Sequence, residues 1–520
     1  MGSKLGAEVH LERAPLKYAG LRYDEIWISE SQERFVLAVP PENVAALQRI
    51  CDEEGVLLAD LGHFGTPSAD LILNFHGNEV GRLPMHFLHE GIPMPTREAV
   101  WVGGGPVGSG QLANGEDAHA TSSPRSAPMA TGHLPNAPSP DLRTRLLELL
   151  AHPNIASKRW IVRQYDHEVR GNTVVKPLVG PGGIGPGDAT VIQPVPGSKQ
   201  GLAIACGMAV HLGDPINGGD PYEAALAAVD ECVRNLVCVG ADPDRIAILD
   251  NFCWPSCGKP ENLASLVRAT EGCYDAAKAY RTPFVSGKDS LNNQLRLADG
   301  RVIEIPPTLL ITGMGVVTDV SKCVTMDAKR PSATVSEDLC VIAPKTLHFH
   351  TGADGPLKAD YGRGDMLERT PRIARCIARL IRHGHAHALH DCSEGGILVA
   401  VAEMLIAAAD ADGASSVGAD LSASDFMLSG VVSIDSGTNP LSSAFFEQPG
   451  AYILQPARCA DDPAIMRGSD ADELWSGELM RFGRVTSSGR LRVLKDNGKT
   501  PLLDVPVSDL RQAFLGTLNW

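Results

Sequence analysis

Residues 103–140 read GGGPVGSGQLANGEDAHATSSPRSAPMATGHLPNAPSP. The stretch is rich in Gly, Pro, Ser, Ala and Asn and has almost no large apolar side chain. It cannot bury enough surface to offset the entropy of ordering it, so a disordered linker is expected. A chain of 520 residues cut at this point must build its cores separately on either side.

Bulk composition narrows the partners. Hydrophobic residues make up 43% of the chain, enough for real cores, and the formal net charge is −16. That balance argues against a nucleic-acid protein, which would show a basic face. No apolar run approaches the ~20 residues of a membrane span, and the N-terminus has no apolar signal core. The 12 cysteines are scattered and form no C-x-x-C pair. Reduced thiols of a cytoplasmic protein are expected.

In the N-terminal part, FVLAV at 35–39 reads as a strand ended by two prolines. A helix follows with Val44, Leu47 and Ile50 on one face, and strands are expected at 71–73 and 80–83. Glu30, Ser31 and Gln32 stand at the mouth of the first strand. They can present a carboxylate, a hydroxyl and an amide to a polar ligand, or simply form a solvated turn.

In the central part a helix is expected over 141–150. The glycine-dense residues 180–189 lack a capped helix directly after them, so they are not a dinucleotide fingerprint. A loop with backbone N–H groups turned to phosphate stays open. Asp220 and Pro221 have the chemistry of an N-cap and first helical residue, and Gly240 that of a helix stop. The strand 245–249 runs into Asp250. A carboxylate just past a buried strand is where α/β proteins place ligand groups, although an Asp-Asn turn fits as well. A helix over 262–280 leads to VSGKDSLN at 285–292. There Gly287 admits a close approach, Lys288 offers charge for phosphate, Asp289 can hold Mg²⁺, and Ser290 can donate to a substrate oxygen. The plainer reading is a surface turn. Farther on, Ser393 is expected to cap a helix over 397–405, with Gly395 and Gly396 making an anion seat at its start. The His-rich 382–387 run is expected to be a solvated helix end or loop.

Two segments repeat one order of elements, 31–90 and 446–506, which suggests a duplicated domain. The second copy is preceded by over a hundred residues of domain and the first by about 30. The first copy is therefore expected to be incomplete, with its other half in another polypeptide or gene segment.

Taken together, these motifs resemble the large synthetase subunit of phosphoribosylformylglycinamidine (FGAM) synthase. They include an LSESQER-like ISESQER at 28–34, FLHEG at 87–91, QYDHEVRGNTVV at 164–175 and GPGDA at 185–189. RNLVCVGADPDRIAILDNF at 234–252, GKDSL at 287–291 and HDCSEGG at 390–396 complete the series. The resemblance implies an α+β and α/β chain of PurM-like domains. Residues 1–102 would be a partial B1 domain, 141–325 an A2 domain and 326–520 a B2 domain. It implies ATP and Mg²⁺ as cofactors, Asp250 and Gly287 at nucleotide, Glu30, Ser31, Gln32 and Ser290 at substrate, and Asp289 at metal. Lys288 stands where some members have a metal-binding asparagine, and 208–211 lack a family Asn-Pro-Arg. The family's catalytic histidine would lie in an A1 domain supplied by another chain. Further expected partners are a PurQ-type glutaminase and a small PurS-type subunit. The alternatives are a silent nucleotide-binding subunit or another ATP-dependent member of the superfamily.

Overall fold

The computed structural model describes residues 4–30, 34–91, 96–101, 141–165, 167–215, 218–332, 335–344, 348–350, 358–360, 365–410, 417–428, 442–445, 448–457, 479–495, 498 and 500–519. The expected linker at 103–140 lies outside them. The chain forms two compact units, Met1–Arg97 and Glu98–Trp520.

The smaller unit is a four-stranded sheet in the order Gly62–Phe64, Ala7–His10, Asp70–Phe75, Asn78–Pro84. Ala7, Leu71 and Met85 are its buried core. The expected strands at 71–73 and 80–83 lie within the last two of these, and the expected helix is Val44–Glu53. The expected strand at 35–39 is not formed, and Phe35 is 89% exposed. Its composition suits a buried strand, but no neighbour among the described residues pairs with it, and a strand without a ladder has no backbone partners.

Among the described residues the larger unit holds, beside three two-stranded sheets, two large ones. One runs Phe284–Ser290, Ala241–Cys253, Thr308–Val317, Gly201–Gly207, Thr190–Ile192, Thr173–Val175. The other runs Ala386–Asp391, Tyr452–Pro456, Asp338–Ile342, Leu479–Thr486, Gly418–Ser422, Arg490–Leu494, Pro501–Pro506. Both mix parallel and antiparallel pairs, which agrees with the expected fold class.

The helix Pro221–Cys238 lies between these sheets. It packs on Gly201–Gly207 and Thr308–Val317 of the first, and on the helix Thr370–Arg382 and the strand Ala386–Asp391 of the second. As expected, Asp220 caps it, accepting from the Tyr222 N–H at 3.0 Å, and Pro221 opens it. A helix enclosed on every side must bury its polar residues too. Asp230, Glu231 and Arg234 are all buried along it.

The glycine-dense loop also proves to be a packing device. A Cβ on Gly180 would fall 1.8 Å from the Ala407 carbonyl oxygen, and one on Gly185 would fall 2.3 Å from the Ala407 Cβ. These glycines let the loop lie close against the end of the helix Gly396–Ala407. Ser393 does not cap that helix. The N-cap is Gly395, with φ of +89°, and no side chain bonds there. The His-rich run divides: its first residue, Arg382, ends the helix Thr370–Arg382, and Ala386 and His387 lie in the strand Ala386–Asp391.

Candidate functional site

The strand Ala241–Cys253 runs parallel to the edge strand Phe284–Ser290. Their register sets Asp250 beside Gly287 and Phe252 beside Asp289. Side chains alternate across a strand, so Asp250, Gly287 and Asp289 share one face. A Cβ on Gly287 would fall 2.5 Å from the Asp250 Oδ1. Glycine is therefore needed here because the Asp250 carboxylate lies over it. Partial burial pushes the Asp250 carboxyl up, and the nearby Asp289 charge adds to the effect. Two carboxylates that repel one another at the margin of this partly covered face suit a divalent cation or a polar ligand with attached cation.

Lys288 and Ser290 fall on the opposite face, where the Lys288 ammonium contacts the Ser290 hydroxyl. The GKDS residues thus do not converge on one point. They divide between two faces, Gly287 and Asp289 on one, Lys288 and Ser290 on the other. Lys288 is consequently kept away from the Asp250–Asp289 pair. Glu30 is exposed in the smaller unit, and Ser31 and Gln32 lie outside the described residues.

A second constellation is buried in the larger unit. His390 ends next to Asp391 in its strand, and its two ring nitrogens are 2.8 Å from Asp188 Oδ1 and 3.2 Å from Glu403 Oε2. The Asp391 N–H donates to the same Asp188 oxygen at 3.0 Å. Arg234 reaches Asp391 at 3.5 Å and also contacts Asp230. Asp230 in turn accepts from Tyr280 and, at 2.8 Å, from the Gly450 N–H. The network joins GPGDA, the helix Pro221–Cys238 and HDCSEGG. Nothing in the spacing of the motifs pointed to it. The signal within reach was a charged pair four apart, Asp230 and Arg234, in an otherwise apolar helix.

Asp188, His390 and Asp391 are the one group among the described residues whose ligand atoms cluster closely enough for a metal. Here, however, carboxylates flank both imidazole nitrogens and a guanidinium stands on Asp391. The positive charge is already supplied by side chains. Burial works against a charged His390, but Asp188 and Glu403 outweigh it and hold the imidazolium well above its ordinary range. Burial also raises Asp391, to about 6, against the pull of Arg234 and His390.

The sign of the pH effect follows. His390 binds its proton more tightly folded than unfolded. Its stabilisation is complete below the unfolded value of about 6.5 and is lost as pH rises through the raised folded value. Asp391 is likewise raised, so its contribution falls between about pH 4 and 6 and is constant above. Of these two groups only His390 acts above neutrality; the buried thiols of Cys232, Cys238, Cys273 and Cys323, pushed up by burial, steepen the loss near pH 9, and they are common to wild type and variant. The melting temperature is expected to fall as pH rises above 7, and His390→Gln, itself destabilised, is expected to show a flatter profile. Calorimetry from pH 6.5 to 9.5 measures both slopes.

Comparison with known proteins bears on the whole chain. The AIR synthase related protein, N-terminal domain, matches residues 186–317, and the corresponding C-terminal domain matches twice, at 1–69 and 345–496. Among curated relatives, the phosphoribosylformylglycinamidine synthase subunit PurL of Thermococcus gammatolerans is 32% identical over 502 residues, covering 92% of this chain and 59% of that protein. The PurL of Deinococcus radiodurans is 34% identical over 411 residues, covering 78% and 50%. The Thermotoga maritima PurL solved with ADP superposes with a TM-score of 0.51 at 18% identity, covering 93% of this chain and 60% of that one, which shows a shared fold. The chain thus spans between half and about three fifths of these relatives. No helix among the described residues is long and apolar enough to cross a membrane. With both domain types of one family matched, and PurL subunits as relatives across most of its length, the chain belongs to the AIR synthase related family, on the PurL branch.

Proposed function

We propose that this chain is part of a cytoplasmic FGAM synthase, with domains at 1–102, 141–325 and 326–520 joined by a linker at 103–140. The reaction is the ATP-dependent conversion of formylglycinamide ribonucleotide to its amidine. The amide oxygen attacks the γ-phosphorus of ATP and ADP leaves. Ammonia then adds to the carbon of the iminophosphate and phosphate departs. A PurQ-type glutaminase supplies the ammonia, a PurS-type subunit accompanies it, and an A1 domain supplies the catalytic histidine.

The observation that carries this reading is the register of Asp250 against Gly287. Two residues the family motifs set at nucleotide stand side by side, one made necessary by the other's side chain. In this assignment Asp250 and Gly287 hold the nucleotide. Asp289, with Asp250, would hold Mg²⁺, whose charge would offset that of the phosphates. Lys288 is directed away and takes no part in holding the metal. Ser290, on the other face, and Glu30, Ser31 and Gln32 orient the substrate.

Ser290→Ala separates this from a silent nucleotide-binding subunit. In the reconstituted complex the enzyme reading expects FGAM synthesis to fall at least tenfold with ATP affinity unchanged. Synthesis unaffected by Ser290→Ala, with ATP held and never hydrolysed, would support the silent subunit.

A further inference from the structure

The helix Pro260–Tyr280 carries a patch that neither the nucleotide site nor the buried network uses. There the Arg268 guanidinium pairs with the Asp220 carboxylate, Nε donating to Oδ1 at 2.8 Å and a terminal nitrogen contacting Oδ2. Asp220 is the cap of the helix Pro221–Cys238, and on that helix the Tyr222 hydroxyl donates to Asp275 at 2.6 Å. The guanidinium stands over two rings. Its carbon is 5.9 Å from the ring centre of Tyr222 and 5.0 Å from that of Trp101. One residue before Trp101, the Val100 N–H donates to the Pro260 carbonyl at 3.1 Å.

Trp101 comes from the segment that leads out of the smaller unit. It is the only Phe, Tyr or Trp between Phe87 and Trp160, and glycines 103–105 follow almost directly. In such a stretch one indole is the side chain best able to hold the backbone to a surface, since its flat apolar face also attracts a cation. Arg268 suits that face. Asp220 already orients the guanidinium, so little rotamer freedom is lost when the indole covers it. The half-buried Trp101 in turn keeps water from the Arg268–Asp220 pair, which strengthens it.

We propose that residues 98–101 are an anchoring strap. Trp101, seated on Arg268, and Val100, bonded to Pro260, fix to the larger unit the segment by which the smaller unit is tied to it. The partner that the Arg268–Tyr222 surface fits is this chain's own indole-bearing segment. The consequence is a short tether. From Glu90, which ends the last helix of the smaller unit, Val100 is ten residues away, and Asp141, the next described residue after Trp101, is 51. The effective concentration of two tethered units falls roughly as the −3/2 power of tether length, so release of the strap would lower it about tenfold. The inference rests on the FGAM synthase reading, in which Glu30, Ser31 and Gln32 of the smaller unit and Asp250 and Gly287 of the larger serve one reaction. It adds the device that keeps them within reach.

Amide exchange across 98–101 in the 520-residue chain tests the strap without any activity. Exchange is expected to be slow in the wild type and at least tenfold faster in Trp101→Ala, with Trp101→Phe between them. Arg268→Lys keeps a charge for Asp220 but loses the planar group, and it is expected to speed exchange at 98–101 as well. Fast exchange there in the wild type, or exchange unchanged in Trp101→Ala and Arg268→Lys, would overturn the proposal. In the mixture that makes FGAM, Trp101→Ala is expected to raise KM for formylglycinamide ribonucleotide severalfold, with kcat and ATP affinity unchanged. An unchanged KM would overturn the tethering role. The two readings fail separately. Protection at 98–101 that Trp101→Ala removes, in a mixture that makes no FGAM, defeats the enzyme reading alone. FGAM synthesis with 98–101 unprotected defeats the strap alone.

Discussion

Arg234→Met is expected to destabilise the larger unit by about 3–5 kcal/mol, the cost of leaving buried charge uncompensated. Arg234 is 0% exposed, and the two carboxylates it serves, Asp230 and Asp391, are 1% and 3% exposed. Methionine fills much of the same volume but supplies no charge, so two carboxylates would remain in an apolar interior beside a sheet-spanning helix. The pair Arg234→Met with Asp230→Leu is expected to recover part of the loss, because removing both partners is far less costly than removing one. Urea unfolding followed by circular dichroism gives both values. A single-variant loss under about 1 kcal/mol would mean that the network contributes little to holding the two sheets together.

Gly287→Val is expected to weaken ATP binding at least 100-fold while leaving the melting temperature within about 2 °C. The first added carbon would meet the Asp250 Oδ1 at 2.5 Å and drive that carboxylate from its place. Gly287 is exposed on an edge strand, so the fold has little to lose from a β-branched residue there. Gly287→Ala brings the same Cβ with less bulk and should fall between wild type and valine. Titration calorimetry with ATP and Mg²⁺ measures the series. Equal affinity across all three proteins would place the nucleotide elsewhere.

The residues that local chemistry governs were the legible ones. Asp220 and Pro221 announce a helix start through groups that bond within one turn, and the structure has them there. The strand leading into Asp250 extends four residues beyond the expected 245–249 at each end, where the Asp242–Asp244 and Asn251–Cys253 flanks have the composition of turns. Pairing with neighbours on both sides holds Asn251–Cys253 extended, whereas Asp242–Asp244 lie in an irregular stretch between the paired Ala241 and Ile246. Ser393 has the right chemistry for a cap, but Gly395 can take the left-handed conformation that the entry to Gly396–Ala407 requires. The polar network was illegible for a different reason. Asp188 and His390 are 202 positions apart, and only the stacking of two sheets on one helix brings them together. Residues 35–39 show the converse. Their apolar pattern suits a buried strand, and a strand also needs partners that the described residues do not offer.

The most direct test of the account is FGAM formation from formylglycinamide ribonucleotide, ATP, Mg²⁺ and glutamine by this chain with a glutaminase, with and without a polypeptide carrying the A1 domain. The account predicts product only in the complete mixture and its loss when Asp250→Asn replaces the wild type. Full turnover by this chain and the glutaminase alone, or undiminished turnover with Asp250→Asn, would contradict it.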